Sequence, residues 1–119
     1  GRAALLTAGR PEVTSAVALA PWVYPNDIPD GLTGQRILIV HGTTDRIASP
    51  ERSATLARIL GQQRARVAYI AVEGGNHAML KRHDIFDGLA ADFAAVTLLN
   101  MPGSGLIARV QAGETWIQV

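Results

Sequence analysis

The stretch RILIVHGTTD, residues 36 to 45, holds the clearest strand pattern in the chain and the polar turn that ends it. Four consecutive aliphatic residues follow Arg36, and Gly42 stops the pattern soon after them. A continuous apolar run bounded by turn residues is typical of a strand that is buried on both faces of a sheet. This stretch therefore predicts an internal strand over residues 36 to 41, with Asp45 just beyond its carboxyl end.

Two further runs have the same buried character, VTSAVALA at residues 13 to 20 and RVAYIAV at residues 66 to 72. Residues 2 to 8 are rich in Ala and Leu, which are good helix formers, and they predict a helix before the first strand. Helices that alternate with continuous apolar strands are typical of a parallel sheet with helices on both faces. The predicted fold class is therefore α/β.

Helices are predicted after the second and third strands. Ser49, followed by Pro50 and Glu51, has the pattern of a helix N-terminus, and Gly61 is the expected C-terminal cap. Asp84 is the predicted cap of the next helix. An apolar stripe at helical spacing would face the sheet there, formed by Ile85, Phe86, Leu89, Phe93 and Val96.

The pattern changes near the carboxyl terminus, which divides the chain into a domain portion over residues 1 to 99 and an extension over residues 100 to 119. The sequence MPGSG interrupts the alternation at residues 101 to 105. Two short strand-like runs follow, LIARV at 106 to 110 and TWIQV at 115 to 119, on either side of a glycine. This arrangement predicts a terminal hairpin.

Composition excludes several classes of function. The chain has 119 residues, of which 48% are apolar, enough for the core of one small domain. Eleven basic residues balance ten acidic ones without long runs of either sign, which argues against a nucleic-acid partner. No apolar run approaches the roughly 18 residues of a membrane span. Without cysteine there is no disulfide or thiolate site, and the compartment stays open, with the cytoplasm favoured.

Asp45 and His77 are the candidate catalytic pair. Each follows a predicted strand, and the carboxyl ends of parallel strands meet at one edge of a sheet. A carboxylate that accepts a hydrogen bond from one imidazole nitrogen leaves the other nitrogen free to act as a general base. The structural alternatives are that Asp45 only caps its turn and that His77 is an ordinary loop histidine.

These motifs, His-Gly-x-x-Asp after one strand and Gly-Gly-x-His after the next, resemble the carboxyl-terminal half of an α/β-hydrolase. The resemblance covers about residues 1 to 99. It implies a triad in the chain order nucleophile, acid, histidine, with Asp45 as the acid and His77 as the base. It also implies that the parent protein hydrolyses a small-molecule carboxylic ester and needs no cofactor.

The resemblance places the nucleophile upstream of Gly1. In this family the nucleophile elbow, G-x-S-x-G, leads into a helix of small and apolar residues, and GRAALL at residues 1 to 6 resembles that continuation. The nucleophile and the oxyanion hole would then precede this sequence, and the 119-residue chain alone would be inactive. The serines of this chain fall in the wrong places to replace it: Ser15, Ser49, Ser53 and Ser104.

The proline-rich loop over residues 21 to 35 lies where many of these hydrolases carry a cap domain. A loop this short implies an uncapped site, similar to those of dienelactone hydrolases and small esterases. Trp22 and Tyr24 would then be walls of the substrate pocket.

Other chemistries fit the sequence less well. Gly74 and Gly75 would suit a phosphate loop only if a helix with Lys or Ser/Thr followed at once, and the G-x-x-x-x-G-K-[ST] pattern is missing. The three histidines lack metal-ligand spacing, so no metal is expected. His41 is predicted to pack at a strand end, and His83 to be solvated. The alternative function is a non-catalytic α/β fragment or a hydrolase-like binding module without a nucleophile.

Overall fold

The computed structural model describes residues 2–24, 26–27, 29, 31–77, 82–98, 103 and 105–119. Along these residues the elements follow the order helix, strand, strand, helix, strand, helix, helix, strand. Their bounds are α1 Arg2–Thr7, β1 Ser15–Leu19, β2 Arg36–Gly42, α2 Pro50–Gln62, β3 Arg66–Val72, α3 His83–Leu98, α4 Gly105–Gln111 and β4 Trp116–Gln118.

The strands form one parallel sheet in the order β1-β2-β3-β4. Parallel neighbours need a crossover between them, and α2 lies in the connection from β2 to β3, while α3 and α4 lie in that from β3 to β4. The chain is therefore an α/β domain with a four-stranded parallel sheet and interleaved helices. The predicted fold class is confirmed at this level.

The central strand β2 is buried almost throughout because it is paired on both sides and packed on both faces. Ile37 and Ile39 belong to one apolar cluster, which also contains residues of α1 and α2. Leu38 and Val40 belong to a second cluster, with residues of α3 and α4. This alternation explains why the strand shows a continuous apolar run in the sequence.

The start of α2 follows its sequence signals, but its end does not. Ser49 is the N-cap, and its hydroxyl accepts a hydrogen bond from the Arg52 N–H at 3.2 Å. The predicted cap at Gly61 is wrong, because the helix continues through Gly61 and is capped by Gln63. Arg64, with a φ of +63°, supplies the left-handed residue that ends the helix.

The apolar stripe of α3 packs on the sheet as predicted. Phe86, Leu89, Phe93 and Val96 are buried, and the half-buried Ile85 packs against the same cluster. The helix begins at His83, so Asp84 lies in its first turn rather than at the cap. None of the helices in the described part of the chain is long and apolar enough to cross a membrane.

The predicted carboxyl-terminal hairpin is wrong. The run LIARV lies in helix α4, where Ile107 is buried among residues of the second apolar cluster. The run TWIQV supplies β4, which pairs with β3 in parallel, so that Trp116 is the partner of Tyr69. Two strands of a hairpin must be antiparallel, whereas β4 reaches its place through a helical crossover.

Candidate active site

The loops after β2 and β3 are bonded to each other at the carboxyl edge of the sheet. The Thr44 N–H and hydroxyl both donate to the Gly75 carbonyl, at 3.1 and 2.9 Å. The Thr43 hydroxyl accepts from the Gly74 N–H at 3.0 Å, and Gly74 has a φ of +73°, which favours glycine. These contacts fix the path of the second loop towards His77.

Gly42 is required for this contact, and Gly42→Ala is expected to lower the free energy of unfolding by about 2 kcal/mol or more. A Cβ at this position would lie 2.1 Å from the Gly75 carbonyl oxygen, so the two loops would have to separate. Urea unfolding measures the change.

The matched control is Gly88→Ala in α3, where a Cβ meets nothing within 4 Å. That exposed helical position should gain roughly 0.5–1 kcal/mol. If Gly42→Ala were as stable as the wild type, the loops would not need this close approach.

Both carboxylate oxygens of Asp45 accept hydrogen bonds. Oδ1 accepts from the backbone N–H groups of Ile47 and Ala48, each at 2.9 Å. Oδ2 lies 3.0 Å from His77 Nδ1 and 3.0 Å from His41 Nε2. Asp45 thus caps its own turn and also contacts His77.

Asp45 is ionised at neutral pH. Burial would raise the pKa of this carboxyl, but the two backbone N–H groups and the hydrogen bonds from His77 and His41 lower it below its usual value. An ionised carboxylate can only accept, so Nδ1 of His77 carries a proton. In the neutral ring Nε2 of His77 is then an acceptor, and the side chain is 37% exposed, so it can meet a substrate.

His41 has a polar role that the sequence did not reveal. It is fully buried at the end of β2, as predicted, but its Nδ1 lies 2.7 Å from Ser53 Oγ and its Nε2 contacts Asp45. His41 and Asp45 are four residues apart in the chain, but across the end of a strand this spacing does not predict that their side chains meet. His83, by contrast, is solvated as predicted, with a side chain 72% exposed.

The buried His41 is expected to make folding weaker as the pH falls from 7 towards 5. Burial lowers its pKa below 6.5, although the Ala48 carbonyl and Asp45 oppose this. The unfolded chain binds a proton near pH 6.5 and the folded chain only at lower pH, so stability is lost from about that pH downwards. Asp45, whose folded pKa is also lowered, adds a loss only below about pH 3.8.

Urea unfolding between pH 7.5 and 5 measures this effect, and one proton gives a slope of at most about 1.4 kcal/mol per pH unit. His41→Gln is the comparison, because it keeps a polar side chain and removes the titration. Equal slopes for the two proteins would rule out His41 as the source.

Trp22 and Tyr24 lie in the loop after β1, at the same edge of the sheet. They are 46% and 43% exposed, and the indole N–H of Trp22 donates to the Tyr24 hydroxyl at 3.1 Å. Trp22 lines a cavity of about 330 Å³, whereas Tyr24 is not one of its lining residues and contacts it only through the hydrogen bond with Trp22. The residues around this cavity are Trp22, Val23, Ile47, Ser49 and Arg52.

The loop that carries these aromatic residues is tied to the start of α1. The Arg2 guanidinium donates to both oxygens of Asp27 at 2.9 Å, and Asp27 also accepts from the Tyr24 N–H at 2.8 Å. The Arg2 guanidinium also lies 5.3 Å from the centroid of the Tyr24 ring. The aromatic pair therefore has a fixed place beside α1.

A larger cavity, of about 1020 Å³, lies at the opposite edge of the sheet. Arg36 and Arg66, which begin β2 and β3, both line it, whereas Asp45 and His77 follow the other ends of these strands. Cavity size alone would therefore point away from the acid–imidazole pair.

Each serine that the structure describes has a hydrogen-bond partner other than His77. Ser49 caps α2, Ser53 is buried against His41, and Ser15 bonds to Thr97 of α3 at 3.0 Å. Ser104 lies outside the described residues. Among the described residues, no group of three or more His, Asp or Glu side chains is arranged to hold a metal ion.

Fold and site together define a parallel α/β domain with a buried carboxylate shared by two imidazoles at the carboxyl edge of its sheet. No protein-family model matches the chain, and neither a curated protein nor a solved structure does so.

Proposed function

We propose that this chain is the carboxyl-terminal half of an α/β-hydrolase that cleaves carboxylic esters, with Asp45 as the acid and His77 as the base of its triad. The observation that carries the proposal is the 3.0 Å hydrogen bond between Asp45 Oδ2 and His77 Nδ1. It joins two loops that leave adjacent parallel strands, in the chain order acid and then histidine.

In this mechanism the nucleophile is a hydroxyl that precedes Gly1. Nε2 of His77 takes the hydroxyl proton as the oxygen attacks the ester carbonyl, and returns it to the departing alcohol. A water molecule then attacks the acyl-enzyme, and Nε2 takes a proton from that water. The proton passes back to the nucleophile oxygen as the carboxylic acid product leaves. Asp45 holds Nδ1 and stabilises the imidazolium in both steps.

The surroundings of the pair are consistent with an uncapped pocket for a small ester. The cavity of about 330 Å³ begins beside Asp45, since Ile47, which donates to Asp45, is one of its walls. Trp22 and Ile47 offer an apolar surface, and both are largely exposed. Such a surface suits an acyl or alcohol group of modest size.

The test is labelling with a fluorophosphonate probe and hydrolysis of p-nitrophenyl acetate, carried out on the protein that includes the residues before Gly1. Labelling and turnover are expected for that protein, and neither for residues 1–119 alone. The labelled residue should be the serine of a G-x-S-x-G sequence whose last glycine is Gly1. Absence of both labelling and turnover in the longer protein would favour a non-catalytic module and end the hydrolase proposal.

A further inference from the structure

His41 leads from Asp45 into a buried polar network that the proposed mechanism does not use. Its Nδ1 lies 2.7 Å from Ser53 Oγ, which in turn lies 3.2 Å from the Tyr69 hydroxyl. Both hydroxyls also reach the Pro50 carbonyl, at 2.9 Å for Ser53 and 3.2 Å for Tyr69. Burial of so many polar groups is costly unless each has a partner.

The contacts determine where the protons of this network lie. Nε2 of His41 is 3.0 Å from the Ala48 carbonyl as well as from Asp45 Oδ2, and since a carbonyl only accepts, Nε2 must carry a proton. In a neutral ring Nδ1 is then an acceptor, and the facing donor is the Ser53 hydroxyl. The Tyr69 hydroxyl supplies the remaining donor, to the Pro50 carbonyl.

The neutral Nε2–H tautomer gives both ring nitrogens a partner: the single Ser53 proton goes to Nδ1 rather than to the Pro50 carbonyl, and the Tyr69 hydroxyl donates to that carbonyl instead. In the opposite neutral tautomer an unprotonated Nε2 would face two oxygens that can only accept, and the carboxylate would be pushed away from its position. A doubly protonated ring would place a charge where the side chain is fully buried.

We propose that His41 is a positioning residue for Asp45: the Ala48 carbonyl and the Ser53 hydroxyl hold it as the neutral Nε2–H tautomer, which fixes Oδ2 for His77. The Tyr69 hydroxyl leaves the Ser53 proton for Nδ1, because Tyr69 itself donates to the Pro50 carbonyl. The role in catalysis rests on the proposed hydrolase function, whereas the tautomer does not. Trp116 of β4 stacks on Tyr69 with ring centroids 4.5 Å apart, so the edge strand supports the outer end of the network.

The tautomer is tested by long-range ¹H–¹⁵N correlation spectra of the histidine-labelled protein that includes the residues before Gly1. At pH 7, His41 is expected to show a protonated Nε2 and an unprotonated Nδ1. In Ser53→Ala, Nε2 should stay protonated, because it still faces the Ala48 carbonyl and Asp45, while the Nδ1 signal should shift because its hydrogen-bond donor is lost. A protonated Nδ1 in the wild type, or an unchanged Nδ1 signal in Ser53→Ala, would overturn the proposal.

The positioning role is tested by comparing His41→Leu with His41→Gln. The Gln amide can donate from about the place of Nε2, whereas Leu has no donor. His41→Leu is expected to lose about 10- to 100-fold in kcat with KM within about threefold, and His41→Gln to stay within about fivefold of the wild type. Ser15→Ala, whose hydroxyl lies on β1 against α3, is the control and should be unchanged.

Equal losses in folded His41→Leu and His41→Gln, or no loss in His41→Leu, would reject the positioning role. If His41→Leu does not fold, Ser53→Ala takes its place, with an expected loss of about three- to tenfold in kcat and a stable KM. If the wild type hydrolyses no ester, the hydrolase proposal and the catalytic role of His41 both fail, while the spectra still decide its tautomer.

Discussion

His77→Ala is expected to lower kcat/KM for ester hydrolysis by about 10³-fold or more, equal to roughly 4 kcal/mol of transition-state stabilisation. In the proposed mechanism this imidazole accepts and returns the proton in each step, and alanine removes both the base and the hydrogen bond to Asp45. The measurement is the rate of p-nitrophenyl acetate hydrolysis by the protein that includes the residues before Gly1.

His83→Ala is the matched control for this experiment. The His83 side chain is 72% exposed in the first turn of α3, and its contact with Asp87 is a surface pair at 3.9 Å. Its kcat/KM should stay within about twofold of the wild type. A His77→Ala protein that is folded and keeps activity within about tenfold of the wild type would show that His77 is not the base.

The elements that could be predicted from the sequence are those whose limits depend on short-range chemistry. The sequence predicts the strand over residues 66 to 72 with its observed bounds, because a short run rich in β-branched and aromatic residues between polar neighbours favours a buried strand. The N-cap at Ser49 is equally local, since the capping hydroxyl and the following proline are adjacent in the chain.

The carboxyl-terminal segment could not be predicted because its residues fit either structure. LIARV has the β-branched character of a strand, yet its apolar residues Leu106, Ile107 and Val110 also share one face of a helix. The choice depends on contacts with α3 and on the crossover that a parallel β4 requires. Neither of these is visible in a window of a few residues.

The candidate site divides in the same way. Asp45 and His77 could be brought together from the sequence, because both follow strands and parallel strands end at one edge. The polar role of His41 could not, because its partners Ser53 and Tyr69 come from a helix and from another strand. The side chains of His41, Ser53 and Tyr69 come together only when α2 packs on the sheet.

Asp45→Ala is expected to destabilise the fold as well as abolish activity. The substitution leaves the N–H groups of Ile47 and Ala48 without their acceptor, and it leaves the buried Nε2–H of His41 with the Ala48 carbonyl alone. Loss of a buried charged acceptor should lower the free energy of unfolding by about 3–5 kcal/mol. Urea unfolding measures this change, with Asp87→Ala, at a side chain 80% exposed, as the control within about 0.5 kcal/mol.

Asp45→Asn separates the catalytic role of this residue from its structural one. The amide oxygen can still accept from Ile47 and Ala48, so the loss of stability should be smaller, about 1–3 kcal/mol. The amide nitrogen, however, replaces Oδ2 and faces two N–H donors, so His77 can keep that contact only in the tautomer whose Nε2 is protonated. A base with the wrong tautomer costs about 10⁴-fold in rate in a Ser-His-Asp triad, and a loss of that order is expected here.

An Asn variant that is folded and retains more than a tenth of the wild-type kcat/KM would contradict this prediction. The Asp45–His77 hydrogen bond would then be structural, and another residue would be the acid of the triad.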